Sequence, residues 1–325
     1  MAARRSAPVL GVLCERPKEG GIPKKTRWEA GFGYRYLNSF RHYVGTVEQK
    51  QRETLGTQIV NDTHIFDFSL SYQLNNRWGV YAAVPFVRNY RNQLYVPTGV
   101  FTNFAQGDAT VGARAWLFRP PTESRSNVAI GMGLKLPTGR YNLMGTARDR
   151  NGNVIQATAD QSIQTGDGRV GFSLDLNAYT PFYWRTFLYA QGTYLFNPAN
   201  TNGVSTFRTR PGETVFSVTD QYLYRGGFTA PMPRLRGWAW SFGGRMEGIP
   251  VRDAFGASNG FRRPGYAISI DPGLMYGHRT WTFSLNAPVA VERNRRKSVP
   301  DYQNRIHGDA AFADYSIIFG VSKRF

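Results

Sequence analysis

The chain is short of cysteine, of acid and of any long apolar run. One thiol, Cys14, stands among 325 residues. That excludes an intramolecular disulfide and a zinc site built on several thiolates. No stretch approaches the roughly 18 consecutive apolar residues that a transmembrane helix needs. The four histidines, His42, His64, His278 and His307, fall far apart, with no i, i+2 or i, i+4 pair to hold a metal. Gly-rich pieces such as Gly131–Gly133 lack the Lys-Ser/Thr of a phosphate loop, and no cofactor is implied. Charged residues are only 19% of the chain, too few for a disordered polyelectrolyte, although 40 Lys and Arg against 22 Asp and Glu leave a net charge of +18.

What the chain has is a hydrophobic period of two. Trp28, Ala30, Phe32, Tyr34 and Tyr36 alternate with Glu29, Gly31, Gly33 and Arg35, the pattern of a strand with two unlike faces. Phe66, Phe68, Leu70, Tyr72 and Leu74 repeat it, as do Trp78 to Phe86, Ala109 to Leu117, Val128 to Leu136 and Val170 to Ala178. Thr186–Phe196 is strand-like with aromatics in both registers. Further strands follow at Tyr222–Ala230, Trp238–Met246, Tyr266–Tyr276, Trp281–Val291 and Tyr315–Phe325, which makes about twelve in all.

Connection lengths alternate. Short turns fall near Asn75–Arg77, Arg119–Ser126, Pro181–Tyr183, Pro231–Gly237 and Gly277–Arg279. Long loops fall near Gly45–Asn61, Asn89–Gln106, Thr138–Gly166, Asn197–Ser217, Gly248–Gly265 and Arg293–Gly308. A soluble sandwich has no reason to gather its long connections at one end, whereas a transmembrane barrel has short periplasmic turns and long outer loops. Trp28, Trp78, Trp116, Trp184, Trp238, Trp240 and Trp281 all adjoin the short-turn side, as an interfacial aromatic girdle would. The expected fold is all-β, an antiparallel transmembrane barrel over residues 26–325, preceded by a flexible segment at 1–25 that holds at best a signal remnant. Prolines 85, 137, 198, 250 and 288 are expected at bulges or at the long-loop rim, and the pairs Gly107-Asp108, Gly166-Asp167 and Gly308-Asp309 at strand starts.

Tyr34-Arg35-Tyr36 followed by Ser39-Phe40-Arg41-His42-Tyr43-Val44-Gly45, the Gly-Asp-x-x-x-Gly step at 107–112, and Leu134-Lys135-Leu136-Pro137-Thr138-Gly139 resemble the outer-membrane proteins grouped under the meta-pathway of phenol degradation, often called transporters. That resemblance, from about Trp28 to Phe325, implies a bacterial outer-membrane barrel that passes hydrophobic or aromatic compounds. The terminal Phe325, after Ile317, Phe319 and Val321, resembles the signature read by the barrel-insertion machinery, with Lys323 interrupting it.

Basicity admits three readings. Nucleic-acid binding would want one positive stripe or module, and the arginines are dispersed. A lipopolysaccharide-facing rim would use Arg262, Arg263, Arg293, Arg295, Arg296 and Lys297. A pore would place Arg35, Arg114, Lys135, Arg225 and Arg245 on the lumen, balanced in part by Glu29, Asp67, Asp175, Glu247 and Asp271. Barrels of about eight strands are filled by side chains and those of 16 to 18 leave a channel, so a lumen of about twelve conducts narrowly or is plugged. The loop at 138–166, with Arg140, Arg148, Asp149 and Arg150, is expected to fold inward. Ser258-Asn259-Gly260 faintly resembles the serine region of an outer-membrane phospholipase but has no nearby histidine base. The leading expectation is a passive outer-membrane channel for small molecules, hydrophobic or anionic. The alternatives are a structural or adhesive barrel that presents basic loops, then a barrel enzyme acting on lipids.

Overall fold

Residues 27–93, 100–119, 124–148, 152–206 and 208–325 are described by a computed structural model. Cys14, the 1–25 segment, Asp149 and Arg150 lie outside them. Within this range the period-two segments become strands β1 (Trp28–Ser39), β2 (Ile59–Gln73), β3 (Trp78–Gln93), β4 (Val100–Gln106 and Thr110–Trp116), β5 (Asn127–Lys135) and β6 (Gly171–Pro181). They continue as β7 (Phe187–Phe196), β8 (Gln221–Pro231), β9 (Trp238–Ile249), β10 (Gly265–Ile270 and Gly273–His278), β11 (Trp281–Asn286 and Val289–Arg295) and β12 (Tyr315–Arg324). The sheet contains 15 hydrogen-bonded segments; β4, β10 and β11 are each two of them in line, so the described residues form twelve strands. Each pairs antiparallel with its sequence neighbours, and β1 pairs with β12 from Glu29↔Arg324 to Asn38↔Tyr315, which closes the barrel. Trp28 and Phe325 finish the seam by exchanging backbone hydrogen bonds of 3.1 and 2.9 Å.

The two faces are inverted relative to a soluble protein. On β5 Asn127, Ala129, Gly131, Gly133 and Lys135 are buried, while Ile130, Met132 and Leu134 are exposed. On β6 Gly171 and Ser173 are buried, and Phe172, Leu174 and Leu176 face out. An apolar outer wall around a polar interior is stable only against hydrocarbon, and closure leaves no unpaired edge there. No helix among the described residues is long and apolar enough to cross a membrane; the strands do so.

All seven tryptophans lie at the short-turn rim. Six are exposed, and Trp116 packs edge-on to Tyr179 with ring centroids 5.9 Å apart. The long connections gather at the other end, with one revision. Asn89–Gln106 is not a loop through its length: β3 runs on to Gln93 and pairs with Val100–Gln106 from Phe86↔Gln106 to Asn92↔Val100. The ladder outlasts the apolar band because at the hydrated end polar side chains can take both faces. Pro85 lies inside β3 rather than at its rim, and its carbonyl accepts from Gly107 N–H at 2.7 Å where β4 is interrupted. Pro288 interrupts β11, and Pro272, which the periodicity did not single out, interrupts β10.

Met132, 64% exposed near the middle of β5, tests the inversion. Met132→Lys should cost about 2–4 kcal/mol in lipid vesicles, the penalty of a cation near the bilayer midplane. Unfolding titrations in vesicles measure it; a neutral outcome would place this face in water.

Candidate functional site

The register puts Arg35, Lys135, Arg225, Arg245 and Asp271 inside, all buried, with Glu29, Asp67, Arg114 and Asp175 half-buried along the same interior face. They form separate sets. Arg35 on β1 reaches Glu247 on β9, with Nη2 at 2.7 and 2.8 Å from its two oxygens. Arg245 Nη2 donates to the same carboxylate at 3.0 Å. Three strands separate β1 from β9 around the wall, so this contact is a chord through the lumen. Beside it Arg225 lies 3.0 Å from Asp271, whose other oxygen accepts from Asn286 Nδ2 at 3.0 Å. Arg225 also lies 5.4 Å from the centre of the Tyr189 ring. Lys135 pairs with Asp167, Glu29 with Arg324 at 3.0 Å, and Asp175 accepts from Thr193 Oγ1 at 2.7 Å.

The interior is not polar throughout. Ile65, Val87, Leu223, Met275 and Ile318 are buried with Tyr179 and Tyr189, on the register expected to hold only polar groups. Adjacent apolar residues such as Ile65-Phe66, Phe86-Val87 and Ile317-Ile318 are the signal for them: where alternation lapses, one of each pair must turn inward. On the opposite, lipid-facing side of the wall, Gly192, Gly226 and Gly244 floor an apolar depression of about 630 Å³ bordered by Leu174, Leu176, Tyr224, Met246 and Ile268.

The long-loop mouth is crossed by the segment that follows β5. Its outer part is a hairpin, Met144–Arg148 with Val154–Thr158; its returning part, Asp160–Thr165, is buried or half-buried. The carbonyl of Ile163 accepts from Asn89 Nδ2 and Asn103 Nδ2 at 3.0 and 2.9 Å. Asp160 takes two hydrogen bonds from Arg263 at 2.8 and 2.6 Å and lies 3.5 Å from Arg91. Arg91 is on β3 and Arg263 lies beyond β9, so this strut spans the mouth. The expected inward fold therefore occurs, through Asp160–Thr165.

Two sequence motifs interlock at the base of that loop. Thr138 Oγ1 accepts from Ala109 N–H at 2.8 Å and donates to the Gly107 carbonyl at 3.0 Å. Asp108 accepts from Gly139 N–H at 2.9 Å, and a Cβ at Gly139 or Gly166 would stand 2.8 or 2.7 Å from the Asp108 carboxylate. Glycine is required there by close approach.

The set assigned to lipopolysaccharide is corrected. Arg262 is fully buried and donates to Asp253 at 2.9 and 2.5 Å; Arg293 is buried against Asp314 at 2.9 Å and Arg295 against Asp301 at 2.9 Å. Arg263 belongs to the strut. Each has found a carboxylate, because a buried guanidinium must. Only Arg296 and Lys297 keep an outward aspect. His42 Nε2 accepts from Ile59 N–H at 3.1 Å, and its Nδ1 lies 3.4 Å from Asp309. Among the described residues no three His, Cys, Asp or Glu gather as metal ligands.

A closed barrel with an apolar wall, an aromatic rim and ion pairs across its interior defines the class: an outer-membrane β-barrel. No family profile matches the chain, and no curated protein is similar to it in sequence. Among solved structures, an outer membrane channel from Pseudomonas putida F1 superposes with a TM-score of 0.62 at 10% identity, over 95% of this chain and 99% of that one. The CymD monoaromatic hydrocarbon channel has a TM-score of 0.47 at 12% identity, covering 93% and 89%. The P. putida toluene transporter TodX has a TM-score of 0.45 at 11% identity, covering 94% and 91%. The first of these likenesses shows the fold.

The ion pairs lend themselves to two measurements. Glu247→Gln leaves two buried guanidiniums facing one neutral amide and should cost about 3–5 kcal/mol, whereas the Arg35→Met, Glu247→Met, Arg245→Met triple replacement should cost far less. Denaturant titration in vesicles compares them. At the mouth, burial raises the pKa of Asp309, but the hydrogen bond from His42 and the charge of Arg52 bring it down to about 2. Against the same push of burial, Arg263 and Arg91 hold Asp160 well below the usual carboxylate range. Depressed carboxylates contribute fully above their ordinary value of 3.8 and lose that contribution only as pH falls through the lowered one. Protease sensitivity of the loops should therefore be unchanged between about pH 7 and 5 and rise steeply only below about pH 4.

Proposed function

We propose that the protein is a passive outer-membrane channel for small solutes, narrowed in its middle by the Arg35–Glu247–Arg245 bridge and at its mouth by the Asp160 strut. The observation that carries this reading is the bridge itself. A barrel that needed only to stand in the membrane could fill its interior with apolar side chains, as its own Ile65 and Val87 do, at less desolvation cost. Charged side chains facing a lumen are among the groups from which ion and solute pathways are built. The solved structure that superposes over nearly the whole chain is itself described as an outer membrane channel, which supports the same reading.

Arg35, Arg225 and Arg245 face Glu247, Asp271 and the nearby Asp67, which nearly balance them, so the preference we expect, for anions, is weak. An enzymatic reading finds little support. Ser258 is buried and its hydroxyl accepts from Asp253 N–H at 2.8 Å, and the accepting nitrogen of His42 is already taken by Ile59 N–H. Arg296 and Lys297 remain as contacts to lipopolysaccharide, and Phe325, whose backbone completes the barrel seam, as the group read by the insertion machinery.

Planar-bilayer recording tests the channel. The native protein should give small single-channel steps with a reversal potential favouring anions. Removing the bridge with Arg35→Gln and Glu247→Gln together should enlarge the steps, and Arg225→Gln with Arg245→Gln should weaken the preference for anions. Folded protein without conductance, with or without the bridge, would favour a scaffold that presents basic loops.

A further inference from the structure

The long-loop end holds a second cavity, distinct from the mid-lumen bridge. It encloses about 640 Å³, within the ordinary range for small-molecule sites, and four loops and the end of β11 converge on it. Its cations are Arg52, Arg208, Arg210, Arg263 and Arg295, and its carboxylates are Glu213, Asp301 and Asp309. We propose that this cavity binds the oxyanion, carboxylate or phosphate, of a small solute before it enters the lumen.

Each acid on the cavity wall is already matched. Glu213 lies 3.2 Å from Arg208, Asp301 2.9 Å from Arg295, and Asp309 2.6 Å from Arg52. Asp160 engages Arg263 from behind. Arg210 is exposed and has no ion pair among the described residues, so the wall carries a surplus of positive charge. The guanidiniums also crowd one another. Arg208 and Arg263 lie 4.1 and 4.7 Å from the centre of the same Phe261 ring. Burial, then the charge of Arg263, pulls the pKa of Arg208 down. Arg295 is nearly inaccessible and stays on Asp301, so Arg208 and Arg210 are the donors left to an incoming anion. An added oxyanion would relieve the repulsion and receive charge-assisted hydrogen bonds from planar donors suited to carboxylate and phosphate. Val44 and Ile306, both half-buried, offer a small apolar surface for the rest of such a molecule.

The proposal names the solute class of the channel proposed above and rests on that reading for the passage of the bound solute into the lumen; binding itself is measured without conductance. Isothermal titration of the full-length folded protein in detergent at low salt uses sodium benzoate, inorganic phosphate and, as the neutral counterpart, benzyl alcohol. The anions should bind saturably and more weakly as salt rises, and the alcohol should not bind. Arg210→Gln, an exposed change that leaves the fold alone, and Arg208→Gln should each weaken binding about tenfold. Arg296→Gln, outside the cavity, should leave it unchanged. Heat-modifiable gel mobility shows that each variant is folded. The proposal is overturned if neither anion binds, if benzyl alcohol binds as well as benzoate, or if the Arg210 and Arg208 variants bind like the native protein. Stoichiometric displacement of benzoate by purified lipopolysaccharide would assign the oxyanion to lipid and equally overturn it. Saturable binding by a protein that carries no current would retain the site and remove the channel.

Discussion

Everything in this molecule depends on the requirement that backbone amides and carbonyls be satisfied without water. In hydrocarbon an unpaired peptide group costs several kcal/mol. The chain meets that condition by pairing β1 with β12, so the seam is a structural necessity and not one contact among many. Where strands are interrupted, the freed groups find other partners: Asp271 N–H donates to the Gly243 carbonyl and Ala287 N–H to that of Pro272. Prolines can therefore stand in transmembrane strands here because each break is repaired by a neighbour.

Inside the wall the problem reverses. A closed sheet of twelve strands is too wide for its own side chains to fill simply and too narrow to behave as bulk water. Long arginines solve this by spanning the gap and pairing across it. The cost of burying their charge is offset by close carboxylates, and so Glu247, Asp271, Asp301 and Asp314 are each found with a basic partner. The overall excess of positive charge is thus placed mainly at turns and at the mouth.

Strand alternation made the barrel legible from the amino acids because lipid imposes a face-by-face rule on every membrane-spanning residue. The seven tryptophans and the alternation of turn lengths oriented it for the same reason. The lumen was legible only in part. Arg35, Arg225 and Arg245 could be placed on the inner register, but their partners lie up to 212 positions away, and a chord across a barrel leaves no trace in local pattern. The basic loops were misread as an outward rim because composition reports that Arg262, Arg293 and Arg295 are charged, not that Asp253, Asp314 and Asp301 wait behind them. The Gly-Asp and Pro-Thr-Gly motifs were each visible, yet their clasp, Thr138 on Ala109 and Gly107, exists only once β4 and β5 lie side by side.

That clasp, together with the strut, divides the connection between β5 and β6 into two regions under different structural constraint. Its base, from Thr138 to Gly139 and from Asp160 to Gly166, is bound to the barrel by side-chain and backbone contacts that few substitutions would preserve. Its outer hairpin, Met144–Arg148 with Val154–Thr158, pairs with itself and presents mostly exposed residues. A loop built this way can accept substitutions at its tip while its root stays fixed, so what it displays above the barrel and what it places across the mouth are separate parts of one connection.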